Sequence, residues 1–264
     1  MSTHLRPQGR VRYSNEGRVA LVTGGAQGIG WSICRAFADS GAKVICADIA
    51  IEHVQNPLNN IELRQVDTAD EQACNQVIDW VVSHFGGLDV LVNNAAIQPA
   101  GSYTPVDALD SQLAERMVDI NFLGYTYMAK YALRAMKQQR SGVVVNIASG
   151  QGHRTTRGVP IYGPLKAANI LQAMQWAVEY AREGIRVVSI SPGAIDTPLV
   201  RASLTKQGGA AALANRHPIG RIGQPEEIAT AVLWLSSQDA AFITGTDLQV
   251  DGGLGAFAAF AEPY

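Results

Sequence analysis

Tyr162 and Lys166 lie four residues apart, Ser149 stands thirteen residues before the tyrosine, and Asn121 lies further upstream. On a helix, positions i and i+4 share a face, so the phenol and the ammonium would sit side by side. A phenol titrates near pH 10, too high for acid/base work at neutrality. A positive charge about 4 Å away, at an effective dielectric of ~20, contributes roughly 4 kcal/mol, or about 3 pKa units. The lysine is therefore expected to draw the phenol down, so that it can take the proton of an alcohol as a hydride leaves the same carbon. Ser149 ends an apolar strand, and its hydroxyl can hold a substrate oxygen beside the tyrosine. Asn121 falls in a long helical stretch, where an asparagine that lines or interrupts the helix can hold a water relaying protons toward the lysine. A Tyr-x-x-x-Lys pair alone is usually a surface contact, so the pattern gains meaning only from what surrounds it.

A hydride needs an acceptor. Thr23 to Gly30 reads Thr-Gly-Gly-Ala-Gln-Gly-Ile-Gly, between an apolar strand and a helical pattern. Glycines there permit a tight turn and let backbone approach a pyrophosphate at the helix N-terminus, where free N–H groups and the dipole favour an anion. The expected cradle comprises Gly24, Gln27, Gly28, Ile29 and Gly30. Asp48, at the end of the second strand, can accept both ribose hydroxyls of an adenosine and would repel a 2′-phosphate. No Lys or Arg lies in the loop or just after Asp48 to offset that repulsion, so NAD is expected over NADP. The cationic nicotinamide of the oxidised cofactor would act on the phenol in the same direction as the lysine. Asp67, ending the third strand, is either a contact for the adenine edge or a turn cap.

These residues must be held by a regular frame. Short strands with few charges at about 18–23, 43–47, 61–66, 90–92, 142–148, 185–191 and 247–250 alternate with helical patterns at about 30–40, 70–85, 110–139, 162–183 and 225–236. Such alternation implies a parallel sheet covered on both faces. The 264 residues are 47% hydrophobic and 17% charged, with no linker or repeat, which predicts one doubly wound α/β domain over 17–264 behind a polar leader at 1–16. Pro164, between Tyr162 and Lys166, is tolerated only in a helix's first turn, so that helix is expected to begin at about 161–163.

The motifs, taken in order, resemble those of the short-chain dehydrogenase/reductase family over about 16–254. The family's Thr-Gly-x-x-x-Gly-x-Gly matches Thr23 to Gly30, and its Asn-Asn-Ala-Gly matches Asn93 to Ala96 with alanine last. Its Asn-Ser-Tyr-Lys tetrad falls on Asn121, Ser149, Tyr162 and Lys166, and Val250-Asp251-Gly252-Gly253 resembles its closing motif. The resemblance implies a Rossmann-type fold and cofactor contacts from Asn94, Pro192 and Gly193, with Tyr162 and Lys166 also touching the cofactor. Ile195 and Thr197 would contact the nicotinamide carboxamide. Two departures stand out: Pro164, and the segment Gly150 to Ile161 with His153, Arg154 and Arg157. Those three cations, with Gln98 and Ser149, are candidates for binding a polar or anionic substrate, against solvated or interface-bound arginines as the plainer reading.

Residues 197–217, with Gly208-Gly209, read as a lid from which Arg201, Arg216 and His217 could reach substrate, or as an ordinary surface loop. The stretches after Tyr162 and around 117–133 carry few charges, and helices apolar on most sides are buried on most sides. The resemblance implies that they pair with further copies of the chain, giving a homotetramer or, failing that, a dimer, with the apolar tail Gly255 to Phe260 in another interface. With 21 Lys+Arg against 23 Asp+Glu there is no basic footprint for nucleic acid. No run is long enough to span a membrane, the leader lacks a secretory pattern, and Cys34, Cys46 and Cys74 show no metal spacing. The expectation is a cytoplasmic, metal-free dehydrogenase of a sugar, polyol or similar alcohol. Carbonyl reduction and non-catalytic dinucleotide sensing remain the alternatives.

Overall fold

Seven strands alternate with helices along the chain in the computed structural model, which describes residues 9, 11–52, 54, 58–204 and 208–256. They are β1 (Val19–Thr23), β2 (Lys43–Asp48), β3 (Ile61–Gln65), β4 (Val90–Asn93), β5 (Gly142–Ile147), β6 (Ile185–Pro192) and β7 (Asp247–Val250). All pairings are parallel, in the order β3-β2-β1-β4-β5-β6-β7. β1, β4 and β5 are buried along their whole length, as expected of uncharged strands covered on both faces. The chain crosses from β3 back to β4 beside β1, so strand order reverses there and a crevice opens beyond the carboxyl ends of the strands.

Two apolar layers sandwich the sheet. On one side α1 (Gly28–Asp39) and α8 (Pro225–Ser236) pack against it through Ile33, Phe37, Ile228 and Val232. On the other lie α2 (Glu71–Phe85), α4 (Gly124–Gln139) and α5 (Tyr162–Tyr180), contributing Val77, Val81, Met128, Leu133 and Ala173. Asp70 caps α2 by accepting from the N–H groups of Gln72 and Ala73. Cys34, Cys46 and Cys74 are buried and unpaired.

The helical stretch expected over 110–139 is broken. α3 (Ser111–Val118) passes into a π-helical turn at Asp119–Leu123 before α4 begins. The single extra residue shifts the apolar pattern by one position, which a stretch with few charges does not reveal. Near the end of the expected leader Asn15 is buried, its N–H donating to Ser40 O at 2.7 Å and its amide to Ser40 Oγ at 2.8 Å. The lid stretch holds α6 (Pro198–Ser203) and α7 (Gly209–Asn215), with 205–207 outside the described residues. Residues 1–8 and 10 of the leader and 257–260 of the expected interface tail also lie outside them. No described helix is long and apolar enough to cross a membrane.

Candidate active site

α5 starts where Pro164 demands. Ile161 is the N-cap, the first backbone bond runs from Leu165 N–H to Ile161 O, and Pro164 as third residue leaves no bond unmade. Tyr162 and Lys166 therefore share a face, the lysine Nζ lying 5.7 Å from the centre of the Tyr162 ring. That ammonium donates to Ile147 O at 2.7 Å and to the hydroxyl of Tyr125 at 3.1 Å. Tyr125, two residues beyond the π-helical stretch, in turn donates to Ile147 O at 2.9 Å. Both Tyr125 and Lys166 are 1% exposed.

Burial, not the cation, dominates the electrostatics of the protein alone. Loss of hydration lowers the Lys166 pKa to about 7. The same effect raises the Tyr162 phenol above its usual range, helped by nearby Tyr103 and partly offset by Ser149. The expected lowering of the tyrosine is thus corrected: in the protein alone, burial outweighs any lowering by the lysine.

Ser149 leaves β5 and its Oγ accepts from Gln151 N–H at 3.2 Å. Asn121 sits in the π-helical turn, so it does interrupt the helix, and its amide is bonded at both ends to the Ile97 backbone. Ile97 N–H donates to its Oδ1 at 2.8 Å and its Nδ2 donates to Ile97 O at 2.9 Å. Its carbonyl accepts from Asn169 Nδ2 at 2.9 Å. Asn121 therefore fixes the wall strand on which Gln98 stands. Behind it runs a buried amide chain, with Asn93 donating to Asn146 and Asn146 to the Asn169 carbonyl. Tyr125 and this chain escaped sequence reasoning, although Tyr125 is one helical turn from Asn121 and Asn169 is three residues from Lys166.

The glycine loop borders the same crevice. Gly24 and Gly28 have φ of 61° and 55°, which side chains adopt rarely. A Cβ at Gly24 would lie 2.8 Å from Ala95 Cα, and one at Gly28 3.2 Å from Thr197 Cγ2. Asn94 secures the loop by donating to Thr23 O and Gly24 O, both at 2.9 Å. Gly30 does not line the crevice: a Cβ there would fall on the Gly24 carbonyl oxygen, so its role is close packing of α1 on the loop. Asp48 accepts from the N–H groups of Ala26 and Ala50, each at 3.0 Å. Asp67 does cap a turn, accepting from Ala69 N–H at 3.0 Å, and also pairs with Arg116 at 3.1 Å.

Together these residues line one cavity of about 770 Å³. Gly24, Gln27, Gly28, Ile29, Asp48, Asp67 and Asn94 form one end, with Pro192, Gly193, Ile195 and Thr197 along the side. Ser149, Tyr162 and Lys166 stand in the middle, and Gln98, Tyr103, Gln151 and Arg154 also line the walls. The bare glycine positions and the α1 N-terminus fit a dinucleotide pyrophosphate, and the Asp48 carboxylate fits a ribose diol. Gln98 and Gln151 each keep one buried amide atom without a partner, an NH₂ and a C=O respectively.

Three expected substrate contacts are elsewhere. His153 does not line the cavity; its Nε2 meets Asp247 Oδ2 at 2.8 Å, a partner 94 residues away. Arg157 is exposed outside it. Arg201 is held by Asp196 at 2.6 Å. His217 does border the cavity but is 2% exposed, accepting from Ala194 N–H and hydrogen-bonded through Nδ1 to Leu213 O. It ties the end of α7 to the Pro192-Gly193 turn instead of reaching for substrate.

The profile of the family described as Enoyl-(Acyl carrier protein) reductase matches residues 24–255. The cis-4-hydroxycyclohexanecarboxylate dehydrogenase of Sinomonas cyclohexanicum is 39% identical over 242 residues, 89% of this chain and 96% of that one. The ligand-free aldohexose dehydrogenase of Thermoplasma acidophilum superposes with a TM-score of 0.87 at 33% identity, covering 94% of this chain and 98% of its own. ElxO with NADP bound superposes with a TM-score of 0.85 at 31% identity, over 91% and 99%.

Proposed function

Because the chain belongs to the short-chain dehydrogenase/reductase family, we propose that it is an NAD-dependent dehydrogenase oxidising a secondary alcohol of a sugar, polyol or similar polar substrate to the carbonyl. Membership makes it an oxidoreductase acting on CH–OH donors. The observation that carries the finer reading is the single cavity joining Tyr162, Lys166 and Ser149 to a glycine cradle that ends at a carboxylate. Asp48 supports NAD, since a 2′-phosphate would meet its negative charge. Gln98 and Gln151 support a hydroxylated substrate, because a hydroxyl can both accept from a buried NH₂ and donate to a buried C=O. Relatives named as a hydroxycyclohexanecarboxylate dehydrogenase and an aldohexose dehydrogenase agree with this class.

A nicotinamide dinucleotide held there supplies the hydride acceptor. Ser149 holds the carbinol oxygen at the tyrosine, and Tyr162 takes its proton as the alcohol is oxidised. Lys166, anchored on Ile147 O, has one donor left to turn toward the ribose and the phenol. Asn121 keeps the 94–98 wall in register through Ile97. Residues 17–264 act as one catalytic domain, with α6 and α7 as a lid whose far end His217 holds.

The test is formation of reduced cofactor, with NAD and NADP in parallel, across sugars, polyols, hydroxy acids and steroids. Turnover of polar alcohols with NAD preferred is expected. Tyr162→Phe should abolish it while dinucleotide binding survives. Activity confined to steroids, or a preference for NADP, would overturn the substrate or the cofactor reading.

The protein is further read as a cytoplasmic homotetramer, with a dimer as the simpler form. Leu171, Met174 and Val178 on α5 are 66%, 38% and 83% exposed, a ridge at helical spacing that a second copy would cover. A monomer in sedimentation at micromolar concentration would remove this assignment.

A further inference from the structure

The cavity contains an arginine whose charge nothing acidic meets. Arg154 lines the wall five residues beyond Ser149 and donates from Nη1 to Leu254 O at 3.4 Å, the long limit for such a bond. A guanidinium has five N–H donors. Four other arginines are matched by carboxylates within 3.1 Å, one of them, Arg116, in the same cavity: Arg116 by Asp67, Arg140 by Glu183, Arg201 by Asp196 and Arg221 by Glu227. Among the described residues, no acid pairs with Arg154.

The acids that border the cavity are already engaged. Asp48 accepts from two backbone N–H groups, Asp67 from Ala69 and Arg116, and Asp251 from the N–H groups of Gly253 and Gly255. Next to Arg154 in sequence stand Gln151, Thr155 and Thr156, neutral hydrogen-bonding groups that also line the cavity. A carboxylate there would receive two parallel N–H bonds from the guanidinium, the strongest pairing an arginine makes.

We propose that Arg154 receives an anionic group of the substrate, so that the preferred alcohol is a hydroxy acid whose carboxylate lies away from the carbon that loses hydride. This rests on the dehydrogenase reading above and narrows its substrate class. Tyr162 and Ser149 take the carbinol end, Gln98 and Gln151 any intervening hydroxyl, and Arg154 the carboxylate.

The experiment compares matched pairs with the full-length enzyme and NAD: a hydroxycycloalkanecarboxylate with its primary amide, and an aldonate with the corresponding alditol. The acid of each pair is expected to have the higher kcat/KM by about 10- to 100-fold, mainly through KM. Arg154→Gln should bring the acid-to-neutral ratio close to one, and Arg154→Lys should retain part of it, with melting curves matching the parent. Oxidation of neutral alcohols without preference for the acids, or a ratio that survives Arg154→Gln, overturns the inference and leaves the dehydrogenase reading standing. Failure to oxidise any alcohol, with the dinucleotide bound, overturns both.

Discussion

Replacing Tyr125 by phenylalanine removes a single oxygen from a sealed position, and the consequences can be followed outward. The Tyr125 hydroxyl lies 3.1 Å from Lys166 Nζ and 2.9 Å from Ile147 O, so its loss leaves the ammonium with one acceptor in place of two. A hydrogen bond to a charged group contributes about 1.5–3 kcal/mol, equivalent to about one to two pKa units. Lys166, already lowered to about 7 by burial, would then be lowered further and carry less charge at pH 7. Its ammonium at 5.7 Å from the Tyr162 ring contributes roughly 3 kcal/mol at an effective dielectric of ~20. Losing that charge raises the phenol further, by up to about two units. In Tyr125→Phe the rising limb of kcat/KM against pH for alcohol oxidation should therefore move one to two units upward. Activity at pH 7 should fall about 10- to 100-fold, while the melting temperature changes by only a few degrees. The assay is a pH–rate profile of the variant beside the parent, with dinucleotide affinity measured separately. A profile superimposable on the parent's would refute the reasoning and leave Tyr125 as packing.

Lys166→Met should stabilise the protein and end catalysis. Because the folded pKa of about 7 lies below the ordinary 10.5, the unfolded chain binds more protons between those values, so the parent gains stability as pH rises from 7 to 10.5. The penalty is complete below pH 7 and amounts to at most about 5 kcal/mol; melting curves of the variant should exceed the parent's at pH 7 and converge with them near pH 10.5. Gly30→Ala places a methyl against the Gly24 carbonyl and 2.6 Å from Asn94 Nδ2. It should cost about 1–3 kcal/mol in denaturant unfolding and weaken dinucleotide binding by spreading the loop from α1; an unchanged affinity and midpoint would contradict that packing role.

The frame of this protein was readable because strands buried on both faces must be nearly free of charge, and the helices between them show their periodicity directly. Pro164 fixed the start of α5 more sharply than any propensity, since only a first-turn position leaves its missing N–H without consequence. Where the reading went astray, depth or distant pairing decided the outcome. Spacing placed Tyr162 beside Lys166 but carried no measure of hydration, and burial reversed the sign of the expected shift. His153 is a candidate substrate contact by sequence, but folding brings Asp247 beside it, and the Ile97 backbone bonds that hold the Asn121 amide are set by a loop that spacing does not place. The π-helical turn that sets Asn121 and Tyr125 in place shifts the pattern by one residue in a stretch with too few charges to show it.

Lys166 is an expensive way to fill a core. An apolar side chain of similar length would pack against Ile147 and Tyr125 without a dehydration penalty, so the lysine's value cannot lie in stability. Nor, on its own, does the ammonium make Tyr162 a base, because the tyrosine remains high in the protein alone. What the pair has is responsiveness. Near neutral pH Lys166 is close to its titration midpoint, so a modest change in its surroundings shifts its charge substantially, and the phenol follows at 5.7 Å. Tyr125 and Ile147 hold the ammonium in place and bias that balance toward the charged form. Positive charge or hydrogen-bond acceptors brought into the cleft then act on a poised pair. Acid/base strength is thereby linked to an occupied cleft, and the cost in stability is what keeps the pair poised.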